Sequence, residues 1–412
     1  MHQPFSRIYR LAQGQAKDTK VGIDKDDQKL IGRKQEKNIA IVSPLFSDPG
    51  KHGGITPVVL NLAGGVADQG IGVDLLVRRH NRVATLPTNL RDRVNIVPIT
   101  AKSRFSTAVS LARYMKYRAP EALLAAGHRF NLAASWARKM APGCRVFLSV
   151  HNTMSTEASY KGRFHSAKRM RSIGTFYVWA DGIVAVSRGV ADDLLSNTRI
   201  PESLVRVIHN PIVTPELVKR SKESVDHPWL AFDGPPVIIS VGRLSSQKAF
   251  HFLIEAFSTI RNVMDCRLII LGEGNERERL LGLINKLGLK HAVDMPGFMD
   301  NPHSWMAKAS VFVLSSLYEG FGNVLVEALA VGTPVVSTDC PSGPREILDN
   351  GRYGKLVPPA DPDALAKGVL DVLEGNFQQF RAEVAVAPYW YDTVARQYLE
   401  YMGLDNGIGI YE

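Results

Sequence analysis

From Asn38 onward the chain alternates short apolar runs with stretches in which apolar residues recur every three or four positions. The runs NIAIVSPLF, VDLLV, VNIVPI, EALLAAG, RVFLSVHN and DGIVAVS read as short buried strands. TPVVLNLAGGVADQG, ARYMKYR, NLAASWARKM, SAKRMRSIGTFYVWA and RGVADDLLSN read as helices between or after them. Strands alternating with helices predict a parallel sheet covered on both faces. VRVIHNPIVTP and the polar KRSKESVDHP break this rhythm, and a second series follows. In it PPVIISVG, CRLIILG, AVDMPG, SVFVLSS, TPVVST and GKLVPP read as strands, with FHFLIEAFSTIRNV, NERERLLGLINKLG, NPHSWMAK, NVLVEALAVG, GPREILDN and DALAKGVLDVLEG as helices. Leu253, Ile254, Phe257 and Ile260 recur at helical spacing in the first of these helices, and Gly288 and Gly332 stop two others.

The predicted fold class is therefore α/β, with two Rossmann-like domains in tandem. Residues 1–37 lack apolar periodicity and read as an N-terminal extension, either a mobile arm or loosely docked. Residues 38–210 form the first domain and residues 211–376 the second. Residues 377–412 form a helical segment expected to pack back across the domain junction. The length of 412 residues agrees with two domains at roughly 150 residues each plus extensions.

Composition narrows the class. The chain is 45% hydrophobic and 22% charged, as a globular protein is, and its richest apolar runs stop well short of the roughly 18 residues of a membrane span. MHQPFSRIYRLAQGQAKDTK has no apolar core of a signal peptide, so a cytoplasmic chain is expected. Cys144, Cys266 and Cys340 have no paired spacing, which leaves no disulfide framework and no zinc site. The formal net charge is +10, divided as +4 over residues 1–37, +13 over 38–200 and −7 over 201–412. Ten basic residues between Arg78 and Arg118 face Asp92 alone. Such a stretch is either a solvated basic surface or the footprint of an anionic partner: a membrane surface, a phosphorylated lipid or nucleic acid.

Open parallel sheets bind ligands beyond the carboxyl ends of their strands, so polar residues directly after predicted strands are the candidates. RLSSQK places Arg243 and Lys248 in one loop at a helix entry, two cations beside free helix amides, suited to a diphosphate. Surface cations near helix starts are also common. LYEGFGNVLVEALAVG places Glu319 and Glu327 eight positions apart, with Gly320 and Gly322 between a strand and a helix that begins near Asn323. Glu327 lies between Val326 and Ala328 in an apolar helix and needs a partner. That partner is either a neighbouring Arg or Lys, or a pair of sugar hydroxyls, and Glu319 could bind a second sugar. In the first half Gly53 and Gly54 leave backbone free of side chains before a helix, which by itself is an ordinary turn, and His151 ends a strand where an imidazole would face a cleft or serve the core.

These residues carry a resemblance. GRLSSQKAFHFLIEAF, LGEG, YEGFGNVLVEALAVGTPVVSTDCPSGPREIL and YGKLVPPADPDALA resemble the donor domain of the retaining GT-B glycosyltransferases of family 4, and VAVSRGVADDLL with IHNPI resembles the end of that family's first domain. The ordered set of Arg-x4-Lys and Glu-x7-Glu is its most specific element. The resemblance implies a GT-B architecture, two Rossmann-like domains facing each other across a cleft. It implies that Arg243 and Lys248 hold the donor diphosphate and Glu319 the transferred sugar. The amides of Phe321, Gly322, Asn323 and Val324 would hold sugar and phosphate, Glu327 the ribose, Gly54 would lie in the first Gly-rich loop, and His151 near the sugar. His151, Glu319, Arg243 and Lys248 are then the catalytic set. Ala249 stands where the family often has Gly, a departure of small expected consequence.

The activity so implied is retaining transfer of a hexose-type sugar from a nucleotide diphosphate, UDP by preference, to an acceptor hydroxyl. A saccharide or lipid-linked saccharide acceptor is implied, in bacterial surface polysaccharide or lipid-linked oligosaccharide synthesis. No cofactor beyond the nucleotide sugar is expected, and no metal, since no Asp-x-Asp directly follows a predicted strand. The basic first half points to peripheral attachment at the inner face of the cell membrane. A nucleic-acid binder would share the charge but has no motif here. A nucleotide-sugar sensor would not need Glu319, and a GT-B epimerase is the nearest rival.

Overall fold

The computed structural model describes residues 37–44, 54–78, 90–99, 102–153, 155, 163–231, 234–376 and 381–405. The extension before Lys37, Gly53, Arg79 and Arg82 lie outside the described residues. Thirteen strands make two sheets among them. The first holds β1 (Asn38–Val42), β2 (Gly72–Arg78), β3 (Val94–Ile99), β4 (Ala122–Ala126), β5 (Arg145–Val150), β6 (Gly182–Ala185) and β7 (Val205–Val207), in the order β3-β2-β1-β4-β5-β6-β7. The second holds β8 (Val237–Val241), β9 (Arg267–Leu271), β10 (Val293–Gly297), β11 (Val311–Leu314), β12 (Val335–Thr338) and β13 (Lys355–Val357), in the order β10-β9-β8-β11-β12-β13.

Every strand pair is parallel, with Ile39 opposite both Val73 and Ala122 and Ile239 opposite both Ile269 and Phe312. Helices therefore cover both faces, and the inner strands are near-continuous apolar runs; β4, β6 and β11 are buried at every position, while the edge strands β3, β7 and β10 are partly exposed. The strand order reverses at β1 in one sheet and β8 in the other. At such a point the loops after neighbouring strands diverge and leave a crevice. The loop after β8 and the loop after β11 flank one of these crevices, so residues 71 positions apart in the chain can meet there.

The last described helix packs on the first domain. Tyr389 O accepts the amides of Ile212 and Val213, each at 3.0 Å, and the helix Tyr391–Tyr401 then packs Val394, Ala395, Tyr398 and Leu399 against the first helix, Ile55–Asp68, and the sheet beneath it. Gly65 permits the approach, because a Cβ there would lie 2.5 Å from Tyr391 O. Tyr401 donates its hydroxyl to Leu204 O at 2.8 Å and accepts the Ile183 amide at 3.1 Å.

No helix among the described residues is long and apolar enough to cross a membrane. Cys144, Cys266 and Cys340 are buried and unpaired. The Asp361-Pro362-Asp363 sequence serves a helix start, Asp361 Oδ1 accepting the Ala364 amide at 2.9 Å.

Candidate functional site

The carboxyl ends of β8 and β11 bring Lys248 and Glu319 together. Lys248 Nζ lies 2.5 Å from Glu319 Oε1, which also accepts the Ser316 hydroxyl at 2.6 Å. Glu319 is only 7% exposed, and burial of its carboxylate at that level is tolerable because both a charge and a hydroxyl meet it. The two loops are laced by backbone. Leu317 N donates to Gln247 O at 2.9 Å, Gln247 Nε2 to Tyr318 O at 2.9 Å, and Ser315 Oγ to Lys248 O at 2.8 Å. Arg243, in the same loop as Lys248, points the other way energetically: it is exposed, and no described residue pairs with it.

Beyond Glu319 the backbone turns at Gly322, whose φ of +100° is left-handed, and the helix Asn323–Ala330 begins as the sequence pattern predicts. No acceptor among the described residues takes the amides of Phe321, Gly322, Asn323 or Val324. Four donors at a positive helix end thus remain for an anion or hydroxyls. Ala249 is also left-handed, with φ +49°, at the cap of the helix Phe250–Arg261. This conformation costs an L-residue about 1–2 kcal/mol, while the buried methyl returns about 0.8 kcal/mol. The buried methyl offsets part of that strain, so Ala is tolerated where glycine would be unstrained.

The two domains interlock at this loop. A Cβ on Gly320 would fall 1.8 Å from His151 O, so only glycine lets the donor loop touch the end of β5. Gly320 O accepts from Ser187 Oγ at 2.8 Å and Ser342 Oγ at 3.0 Å. Ser187 caps the helix Arg188–Asn197, and Glu346 accepts that helix's Arg188 amide at 2.9 Å and lies 2.7 Å from His209 Nε2. His209 stacks on Phe321 at 5.3 Å. Asn323 spends its side chain across the cleft, Oδ1 accepting from Asn210 at 2.8 Å and Nδ2 donating to Gly54 O at 3.2 Å. Ser187, His209, Asn210, Ser342 and Glu346 were not singled out by sequence reasoning. Their signal was the VAVSRG, IHNPI and CPSGPREIL segments, whose individual side chains have no distinctive spacing.

His151 is half-buried, with Nε2 3.0 Å from Ser149 Oγ, and that hydroxyl lies 3.4 Å from Tyr398 Oη on the last helix. Burial lowers its pKa from 6.5 to about 4, so the ring is neutral at physiological pH. Beside Glu327 no Arg or Lys among the described residues forms an ion pair; His303 lies there instead, with Nε2 3.5 Å from Oε2. The basic stretch is corrected. Arg93 is bonded to Asp68 and Gly64 O, and Arg118 to the buried Asp74, so neither is a free surface charge.

The chain matches the description Glycosyltransferase Family 4 over residues 52–215 and Glycosyl transferases group 1 over residues 221–385. It is 32% identical over 249 residues to an N-acetylgalactosamine-N,N'-diacetylbacillosaminyl-diphospho-undecaprenol 4-alpha-N-acetylgalactosaminyltransferase of Campylobacter jejuni, covering 60% of this chain and 66% of that one. It is 32% identical over 250 residues to the lipopolysaccharide core biosynthesis glycosyltransferase LpsE of Rhizobium meliloti, covering 59% and 70%. Among solved structures, Anabaena HepE in complex with UDP and glucose superposes with a TM-score of 0.70 at 19% identity, over 89% of this chain and 99% of that one. That likeness is of fold, and the fold is GT-B.

Proposed function

The chain belongs to the glycosyl transferases group 1, with a family 4 first domain, and from that membership we propose that it transfers a hexose-type sugar from a nucleoside diphosphate, UDP by preference, to an acceptor hydroxyl with retention at the anomeric carbon. One observation carries the reading: Lys248 and Glu319 converge at 2.5 Å from separate strands, beside Arg243 and the open amides after Glu319. Breaking the bond to the anomeric carbon leaves negative charge on the diphosphate. Arg243, Lys248 and the amides from Phe321 to Val324 are donors in place before that charge develops, where such preorganised groups lower the barrier most.

Glu319 would accept hydroxyls of the transferred sugar and Glu327 those of the ribose. His151, neutral, would bind the sugar as a hydrogen-bonding group rather than as a cation. In a front-face route the acceptor enters on the side from which the diphosphate leaves, so no enzymatic nucleophile is needed. The charge developed is met by protein donors, and turnover is expected to need no metal. The relatives named above support surface-polysaccharide or lipid-linked oligosaccharide assembly as the setting, with a saccharide or lipid-linked saccharide as acceptor.

The test is a thermal-shift panel of UDP, GDP and ADP with and without excess chelator, followed by turnover with the matching nucleotide sugars. A ligand present at 100 times its Kd adds about 2.7 kcal/mol to the folded state. UDP should raise Tm equally with and without chelator. No response to any nucleotide would overturn the donor site, and turnover abolished by chelator and restored by a divalent ion would overturn the metal-free scheme. Release of an isomerised free sugar nucleotide without acceptor would favour the epimerase.

A further inference from the structure

We infer that His303 is a positioning residue for Glu327, holding that carboxylate ready for the hydroxyls of the donor nucleotide. The inference rests on the ribose role proposed for Glu327. His303 lies in the short helix Pro302–Met306, which follows β10 in a part of the chain that no sequence motif marked. Its Nε2 is 3.5 Å from Glu327 Oε2. No hydrogen-bond donor among the described residues reaches the Glu327 carboxylate, although the side chain is only 22% exposed and its neighbours Val326 and Ala328 are fully buried.

The other ring nitrogen decides the hydrogen position. Nδ1 of His303 is buried and has no hydrogen-bond partner. A hydrogen placed there would be an unsatisfied buried donor, which favours the tautomer with its hydrogen on Nε2, towards Glu327. The 3.5 Å separation is long for a hydrogen bond and leaves the carboxylate lone pairs for incoming hydroxyls. Backbone and side-chain bonds fix the pair. Thr333 Oγ1, in the turn after the Glu327 helix, donates to Met306 O at 2.7 Å, and Ala307 N donates to His303 O at 2.9 Å. The imidazole and the carboxylate therefore sit on elements tied to each other, and the carboxylate is oriented before the ligand arrives.

The experiment measures Kd for UDP, GDP and ADP by calorimetry, with steady-state kinetics, in wild type, His303→Ala, His303→Gln, Glu327→Gln and the double variant His303→Ala/Glu327→Gln. The amide nitrogen of Gln can replace Nε2–H, so His303→Gln should stay within about twofold of wild type, while His303→Ala weakens nucleotide binding about 3- to 5-fold, the scale of a long electrostatic contact. The loss should appear in KM more than in kcat, and it should largely vanish in the Glu327→Gln background, because a residue acting through another shows no separate effect once that other is gone. Glu327→Gln weakening the nucleotide while His303→Ala does not, or the two losses adding in full, would overturn the role of His303 and leave the ribose site standing. Nucleotide affinity unchanged in Glu327→Gln would overturn the ribose reading and the inference with it. Equal losses in His303→Ala and His303→Gln, accompanied by a lowered urea midpoint in both, would assign His303 to packing instead.

Discussion

Lys248 and Arg243 share a loop and a proposed ligand, but their surroundings separate what their loss does. Lys248→Ala would leave Glu319 buried with only Ser316 as a partner, so it should cost on the order of 3 kcal/mol of stability. Arg243→Ala removes an exposed, unpaired guanidinium and should shift stability by less than about 0.5 kcal/mol. Both should lower kcat/KM by about tenfold to a thousandfold. Urea denaturation beside kinetics checks this, and adding Glu319→Gln to Lys248→Ala should recover part of the lost stability. Equal midpoints for the two single variants would mean that the Lys248–Glu319 pair carries no structural weight. His151 makes a different test. Its folded pKa of about 4 lies below the ordinary 6.5, so as pH falls the unfolded chain takes up the proton first. The stability held by this neutral ring is full above about pH 6.5 and is lost as pH falls from there towards 4. NMR titration of the ring should show no protonation between pH 6 and 8; a midpoint at or above 6.5 would contradict its burial.

At the scale of elements, the same substitution should have opposite signs at two helical glycines. Gly282, in the helix Arg277–Lys286, has nothing within 4 Å of an added Cβ, so Gly282→Ala should gain about 0.5–1 kcal/mol from helix propensity. Gly65→Ala would place its Cβ 2.5 Å from Tyr391 O and 2.8 Å from Ala395 Cβ, and should lose about 1–3 kcal/mol by pushing the last helix off the first. Thermal melts of both variants decide it, and stabilisation by Gly65→Ala would mean that this contact is loose. The helix Asn323–Ala330 illustrates the same dependence on context. Its sequence predicts a start at Asn323, but that residue's bonds to Asn210 and Gly54, which tie the open amides to two loops of the other domain, follow only from assembly.

For the whole molecule, the charge division acts over a surface. With Arg93 and Arg118 held by Asp68 and Asp74, the exposed cations of this stretch include Lys102, Arg104, Arg113 and Lys116 on and before the helix Arg104–Arg118, which also exposes Phe105 and Tyr117. Basic residues near an anionic bilayer contribute about 1 kcal/mol each, and the Debye length falls from about 10 Å at 0.1 M salt to about 3 Å at 1 M. The protein should co-sediment with anionic liposomes at the lower salt, leave them at the higher, and ignore neutral ones. Arg104→Glu/Arg113→Glu/Lys116→Glu should abolish the attachment while UDP affinity holds. Failure of the wild type to bind anionic liposomes at low salt would point to an acceptor away from the membrane.

The amino-acid sequence by itself determined the two series of parallel strands, because strands buried on both faces must be apolar throughout and the helices between them must show a 3.6-residue period. It also marked Arg243, Lys248 and Glu319 by their place directly after predicted strands and Glu327 by its apolar helix, while their roles came from the resemblance to a known family. Tertiary structure alone decided which charges met. Lys248 reaches Glu319 because β8 and β11 are neighbours at the reversal of strand order, Glu327 faces His303 because Thr333 ties two helices together, and Arg93 is paired with Asp68. These pairings join residues 24 to 71 positions apart, and side-chain chemistry along a chain carries no record of which distant partner the packing will supply.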